Sequence, residues 1–206
     1  MNAAAEYRPS RADRIGIVAF MIAGIAILAW SAYAGLMRVM ELLLGEDARF
    51  LVRFPDTPVE TPLGEGGAPV ALQLDAATIA VRQMTPLGFW SGVLEQSAFF
   101  VGLATVVVCL LLLSRRALRG EIFSRSSTAL VAIAGLTGLA GFGLSAFFQG
   151  LAGAEALLSV TGGELTGFVV FTLEPFHFVI AAFVTTLVIN TYAVGARIER
   201  ETAGLI

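Results

Sequence analysis

Four stretches of this chain are apolar with hardly a charge among them: about Ile15 to Met37, Phe89 to Ser114, Thr128 to Gln149 and Phe168 to Val194. Each supplies the roughly 20 mostly apolar residues with which a helix crosses about 30 Å of hydrocarbon, so the pattern predicts four spanning helices. Between the first two lies a segment of roughly 45 residues (about 45–88), longer than ordinary connections and therefore functional or structured in its own right. Within it "RFLVRF" (Arg49 to Phe54), "PVALQL" (Pro69 to Leu74) and "TIAVRQM" (Thr78 to Met84) alternate or carry β-formers, separated by the breakers "PDTP" and "PLGEGGAP". The expectation is a small antiparallel β cap whose last two strands join at Asp75-Ala76-Ala77. The predicted fold class is an all-α membrane protein, a single four-transmembrane-helix bundle with a small extracytoplasmic β cap between helices 1 and 2. A lid over the bundle is the plainer role for that cap, and a ligand or partner surface the alternative.

Finer signals refine the helices. Arg8, Arg11 and Arg14 precede the first run and Ala32-Tyr33-Ala34 resembles a cleavage site, but the run is too long for the apolar core of a signal peptide, so an uncleaved anchor is expected. Gly135, Gly138, Gly141 and Gly143 in the third run suit a packing seam, because small residues let helix backbones approach where lipid gives no hydrophobic drive. Ser124 suits the N-cap of the third helix, and Gly120 the turn before it.

Composition confirms the class. Hydrophobic residues make up 57% and charged residues 14% of the chain, with mean hydropathy +0.82, against about 45–50% and about 25% in soluble proteins. All 13 basic residues are arginine, and nine of them lie in three regions: Arg8, Arg11 and Arg14; Arg115, Arg116, Arg119 and Arg125; Arg197 and Arg200. Positive charge accumulates on the cytoplasmic side, which predicts a multi-pass plasma-membrane protein with both termini inside. The first outer connection holds Glu46, Asp47, Asp56, Glu60, Glu65 and Asp75 against Arg49, Arg53 and Arg82, and the second holds Glu155 and Glu164 without an arginine. The formal charge of −3 gives no reason to expect nucleic acid as a partner.

Candidate chemistry is sparse. Cys109 is the only cysteine and His177 the only histidine, so paired-thiol redox chemistry, bis-histidine haem ligation and a His-Glu-x-x-His zinc motif are excluded. Glu174-x-x-His177 is one half of a di-iron element that needs two. No catalytic residue, cofactor or metal is expected, and the chain reads as a non-enzyme. For a transporter, the polar groups within the spans are few; the fourth offers Thr185, Thr186, Asn190 and Thr191, and Asn190 suits an interhelical hydrogen bond.

Helical rise of 1.5 Å per residue places His177 about 30 Å and Glu174 about 34 Å from Arg197, Glu95 about 28 Å from Ser114, Gln149 about 31 Å from Thr128, and Arg38 about 35 Å from Ile15. These five form a candidate outer polar layer. Its plain reading is helix ends meeting water; its sharper one pairs Arg38 with Glu95 or Glu174 and has His177 read external acidity. On the inner side, Glu121 is within reach of Arg197 or Arg200, and Arg115 or Arg116 of Glu199 or Glu201, as ion pairs between the two cytoplasmic segments.

Two of those segments also carry a resemblance. "LRGEIFSRSS", with Arg119, Gly120, Glu121 and Phe123, and "GARIERETAGLI", with Gly195, Ala196, Ile198, Glu201 and Leu205-Ile206, resemble paired signatures of the bacterial membrane family called domain of unknown function 2975 (DUF2975). The resemblance implies four spans with a long first outer loop and a plasma-membrane location, often beside a helix-turn-helix regulator, and brings no reaction. It marks Arg119, Gly120, Glu121, Phe123, Gly195, Arg197, Arg200 and Glu201 as candidate cytoplasmic docking residues. The expected function is non-enzymatic regulation, sensing or interaction in the bacterial plasma membrane, the alternative being a small transporter or an accessory subunit of one. Expected partners are the lipid bilayer and a protein, either a cytoplasmic regulator or another membrane protein; homo-oligomers are left open.

Overall fold

Helix α1 (Arg11–Leu44) opens on a capping box: the Asp13 amide donates to Ser10 Oγ at 3.2 Å while the Ser10 amide donates to Asp13 Oδ2 at 2.9 Å. Helix α2 (Pro86–Ala117) starts on Thr85, whose Oγ1 accepts the Gly88 amide at 3.0 Å, with proline at the first helical position where its missing N–H is harmless. Helix α3 (Arg125–Thr161) is capped as expected by Ser124, whose Oγ accepts the Ser127 amide at 3.2 Å, and it ends at Gly162 in the left-handed region, φ 65°. Helix α4 covers Pro175–Ala203. This computed structural model describes residues 10–44, 48–62, 68–82, 84–119, 123–162 and 175–203.

All four helices are long and apolar enough to cross a membrane. They exceed the apolar runs: α1 continues seven residues past Met37, and α3 twelve past Gln149, so Glu155 is helical and not part of a connection. The expected start of the fourth span at Phe168 lies outside the described residues.

The segment between α1 and α2 is a two-stranded antiparallel hairpin, β1 (Ala48–Pro62) against β2 (Pro69–Val81). This corrects the expected turn at Asp75-Ala76-Ala77. The two C-terminal strand segments are one strand, with Ala77 opposite Val52 and Ala76 opposite Arg53. The irregularity falls in β1 instead, where the register shifts between Arg53 and Thr57 across Pro55, which has no N–H to donate to a ladder.

The chain divides into two compact units, one of Met1–Ala34, Phe99–Phe142 and Glu174–Ile206, the other of Gly35–Ala98 and Gly143–Leu173. In the first, three of the four glycines of the third run sit at helix approaches. A Cβ on Gly102 of α2 would lie 3.0 Å from the Gly141 Cα, one on Gly138 would lie 3.0 Å from Val106 Cγ2, and one on Gly135 would collide with Thr185 of α4. The predicted seam is therefore a packing seam between α3 and its neighbours in this unit.

The second unit is built around the base of the hairpin. Ala48, Phe50 and Val81 are buried with Leu42 of α1 and with Ala152 and Ala156 of α3, and Ile79, Met84, Phe89 and Val93 pack against them. Burying a side chain such as Phe50 contributes about 1.5–3 kcal/mol. Period-two alternation turns Leu51 outward while Phe50 and Val52 face in. Small residues seat the strand closely: a Cβ on Gly153 would lie 2.8 Å from the Leu51 carbonyl oxygen.

Candidate functional site

The most concentrated polar chemistry among the described residues is where α1 ends against β1. Arg38 Nη1 lies 2.8 Å from Glu41 Oε2, one helical turn apart. The other carboxylate oxygen, Glu41 Oε1, accepts the Arg49 amide at 3.3 Å, while Arg38 Nη2 donates to the Arg49 carbonyl. In an antiparallel ladder a residue's N–H and C=O point the same way, so both backbone groups of Arg49 face away from β2. The ion pair grips this one peptide edge from both sides. The Arg38 guanidinium also lies 5.1 Å from the centroid of the Phe50 ring, a cation–π contact of about 0.5–1 kcal/mol at such a site. A strand edge that would otherwise be open to pairing is thus covered by the end of a helix.

Two further polar contacts fasten α3 to α2 in the same unit. Gln149 Nε2 donates to Glu95 Oε1 at 3.3 Å, and Thr85 Oγ1 donates to Glu155 Oε2 at 2.7 Å. The Thr85 hydroxyl does two jobs, since its lone pair caps α2 while its proton serves Glu155.

Of the expected polar layer, Glu95 and Gln149 are brought together. Arg38 makes its close ion pair with Glu41, one turn along the same helix, while its charge also acts on Glu95. His177 belongs to the other unit, where it is exposed near the start of α4 with its ring 6.1 Å from that of Phe176. Glu174, the other expected partner of Arg38, lies outside the described residues.

The two segments that resemble the family signatures do meet. Phe123 packs so closely on Gly195 that a Cβ there would lie 2.5 Å from Phe123 Cδ1, and its ring stands 5.6 Å from that of Tyr192. Thr128 Oγ1 reaches the Tyr192 carbonyl at 3.4 Å. Arg119, Arg197 and Glu201 are exposed; Gly120 and Glu121 lie outside the described residues, as do the side chains of Glu199 and Arg200. Arg116 donates to Ser126 Oγ, within a cluster where Ser124 Oγ stands 3.1 Å from Ser126 Oγ and 2.9 Å from Ser127 Oγ.

Sequence reasoning missed Glu41, Phe50, Thr85 and Glu155. Arg38-x-x-Glu41 was visible as an i, i+3 pair and Thr85-Pro86 as a helix start; nothing in the sequence aimed them at Arg49 or Glu155. Chemically the arrangement braces: its carboxylates, guanidinium and hydroxyl are committed to one another and to backbone. Among the described residues no group of three or more His, Cys, Asp or Glu side chains is placed to hold a metal ion. No family model matches the chain, and neither does any curated protein or solved structure.

Proposed function

We propose that the chain is a non-enzymatic interaction protein of the bacterial plasma membrane, regulatory or sensory in role, that holds its hairpin outside the cell membrane as a recognition surface. One observation carries this reading. The base of the hairpin is clamped and buried, whereas its distal half, beyond the register shift, exposes Val70 and Leu72. A lid would turn its apolar side chains inward; a mounted arm with apolar side chains outward suits contact with another protein. The resemblance to domain of unknown function 2975 supports only the four-span layout and the membrane location, and the arginine distribution favours a cytoplasmic side for segment 115–125.

The test uses native membranes and purified chain together. A photo-crosslinking residue at Leu72 should join the chain to one protein, and Val70→Asp should abolish that junction while leaving the chain in the membrane. Vesicles holding the chain alone should pass no solute. Solute flux through those vesicles, or crosslinking at Leu72 unaltered by Val70→Asp, overturns the reading.

A further inference from the structure

In the unit made of residues 1–34, 99–142 and 174–206, helices α2, α3 and α4 surround an open apolar cavity of about 450 Å³. Its walls include Val106 and Leu110 of α2, Gly138 and Phe142 of α3, and Val184 and Val188 of α4. Along α3 it extends from Phe142 to Val131, about 16 Å at 1.5 Å per residue. That is about half of the 30 Å hydrocarbon thickness, the depth of one leaflet. Leu113 and Tyr192 mark one end.

The same end is rich in arginine, with Glu201 exposed near the end of α4. Arg116 lies one turn beyond Leu113 and is tied to Ser126 at the start of α3, which sets its guanidinium across the α2–α3 gap. Arg115, Arg119 and Arg125 are exposed on the same two helix ends and the turn that joins them. The ring of Tyr192 is backed by Phe123, so the cavity's boundary here is aromatic. The opposite end, at Val106, Phe142 and Ala181, carries no charge among its lining residues.

We infer that this cavity seats an acyl chain of an anionic phospholipid from the arginine-rich side, its phosphate held at Arg116 and Arg125. The inference rests on the membrane reading above. The occupant follows from charge and size. A guanidinium suits a phosphate oxygen pair better than a neutral headgroup, and basic pockets between spanning helices are where anionic headgroups bind. An extended acyl chain is narrow enough to enter between α2 and α4, and the apolar side chains lining the cavity suit its methylenes. The glycines Gly135 and Gly138 give the cavity its depth, and Thr185 lies against the first of them.

The test places the full chain in phosphatidylcholine vesicles containing a trace of photoreactive lipid, either phosphatidylglycerol or phosphatidylcholine with the same diazirine-bearing tail, and maps adducts by mass spectrometry. Flotation of the chain with the vesicles checks membrane insertion separately, so a failure of the membrane reading shows there and not in the lipid comparison. The phosphatidylglycerol probe should label cavity residues such as Val106 and Val184 at least about tenfold more than the phosphatidylcholine probe. Arg116→Gln and Arg125→Gln should each remove about fivefold of that preference, the effect of one arginine near an anionic surface. Val184→Trp, at an exposed position that leaves the seam glycines untouched, should abolish cavity labelling by both probes. Equal labelling by the two probes in the unaltered chain overturns the inference, as does a cavity that crosslinks a second copy of the chain in place of lipid.

Discussion

Gly153→Ala tests whether the hairpin is mounted rigidly on α3. The added Cβ would sit 2.8 Å from the Leu51 carbonyl oxygen and 3.6 Å from Val52 Cγ2. Ordinary contact begins near 3.4 Å, so β1 must withdraw by about 0.6 Å. It has nowhere local to go, because Arg49 is gripped by Arg38 and Glu41 on one side of Leu51 and Val52 is buried on the other. Overpacking of this kind costs about 1–3 kcal/mol, offset by the roughly 0.5–1 kcal/mol that alanine gains over glycine inside a helix. The net expectation is about 1 kcal/mol of destabilisation of the seated hairpin, between limits of about 0 and about 2.5 kcal/mol. Gly24→Ala is the matched control: its Cβ would meet Val107 Cγ1 at 3.5 Å and Leu111 Cδ2 at 3.8 Å, ordinary contacts, so only the helical gain remains. The readout is thiol labelling of Val52→Cys in a Cys109→Ala background, since Val52 is 4% exposed and reacts through local opening. At tenfold per 1.4 kcal/mol, Gly153→Ala should speed labelling roughly fivefold and Gly24→Ala should leave it unchanged. Equal rates in the two variants would refute the rigid mounting.

Three further outcomes follow from the same contacts. Arg38→Ala and Glu41→Ala should be strongly non-additive in the Val52→Cys labelling assay, with a coupling above the 0.2–0.5 kcal/mol of an isolated helical ion pair, because both grip the Arg49 peptide; additive effects would reduce the clamp to a surface pair. Thr85→Val should lower the thermal midpoint in detergent, removing a cap that contributes about 1 kcal/mol and the Glu155 donor with it, while Thr85→Ser should restore most of the loss; equal midpoints for the two variants would contradict the dual role. A reporter active only in the cytoplasm should work within Arg115 to Arg125 and fail within Glu60 to Gly67, and activity at the second position would reverse the proposed orientation.

The four helices were legible because a span demands a long apolar run and hydropathy measures it directly. Their true ends were not. Beyond Met37 the chain reads "RVMELLL", and beyond Gln149 "GLAGAEALLSV"; hydropathy stops at the charge, but helical propensity continues through it. The hairpin was half legible for a related reason. The breaker signal in "FPDTP" is real, yet in a two-stranded sheet each strand has an open edge, and proline is tolerated there as a bulge. Asp75-Ala76-Ala77 lacks β-formers but is held in the ladder by Val52 and Arg53 opposite. Pairing overrode propensity at both places.

The candidate site divides along the same line. Rise per residue fixes the depth of a side chain, which is why Glu95 and Gln149 could be assigned to one layer before any contact was known, and they do bond. Depth says nothing of azimuth. Arg38 stands at a similar predicted depth, but whether it meets Glu95 or turns to the hairpin depends on which faces of the helices approach. Those faces are set by residues that lack side chains. Gly153 admits the β1 backbone to α3, and Gly92 faces Leu42 and Phe50, where a Cβ would lie 2.9 Å from Leu42 Cδ1. Once β1 is drawn in to that depth, the Arg49 peptide lies within reach of the last turns of α1, and the pair Arg38–Glu41 closes on it. The polar clamp is therefore a consequence of the glycine contacts, so a bulkier residue at Gly153 or Gly92 disturbs Arg38 without touching it, whereas losing Arg38 leaves the close approach of β1 to α3 in place.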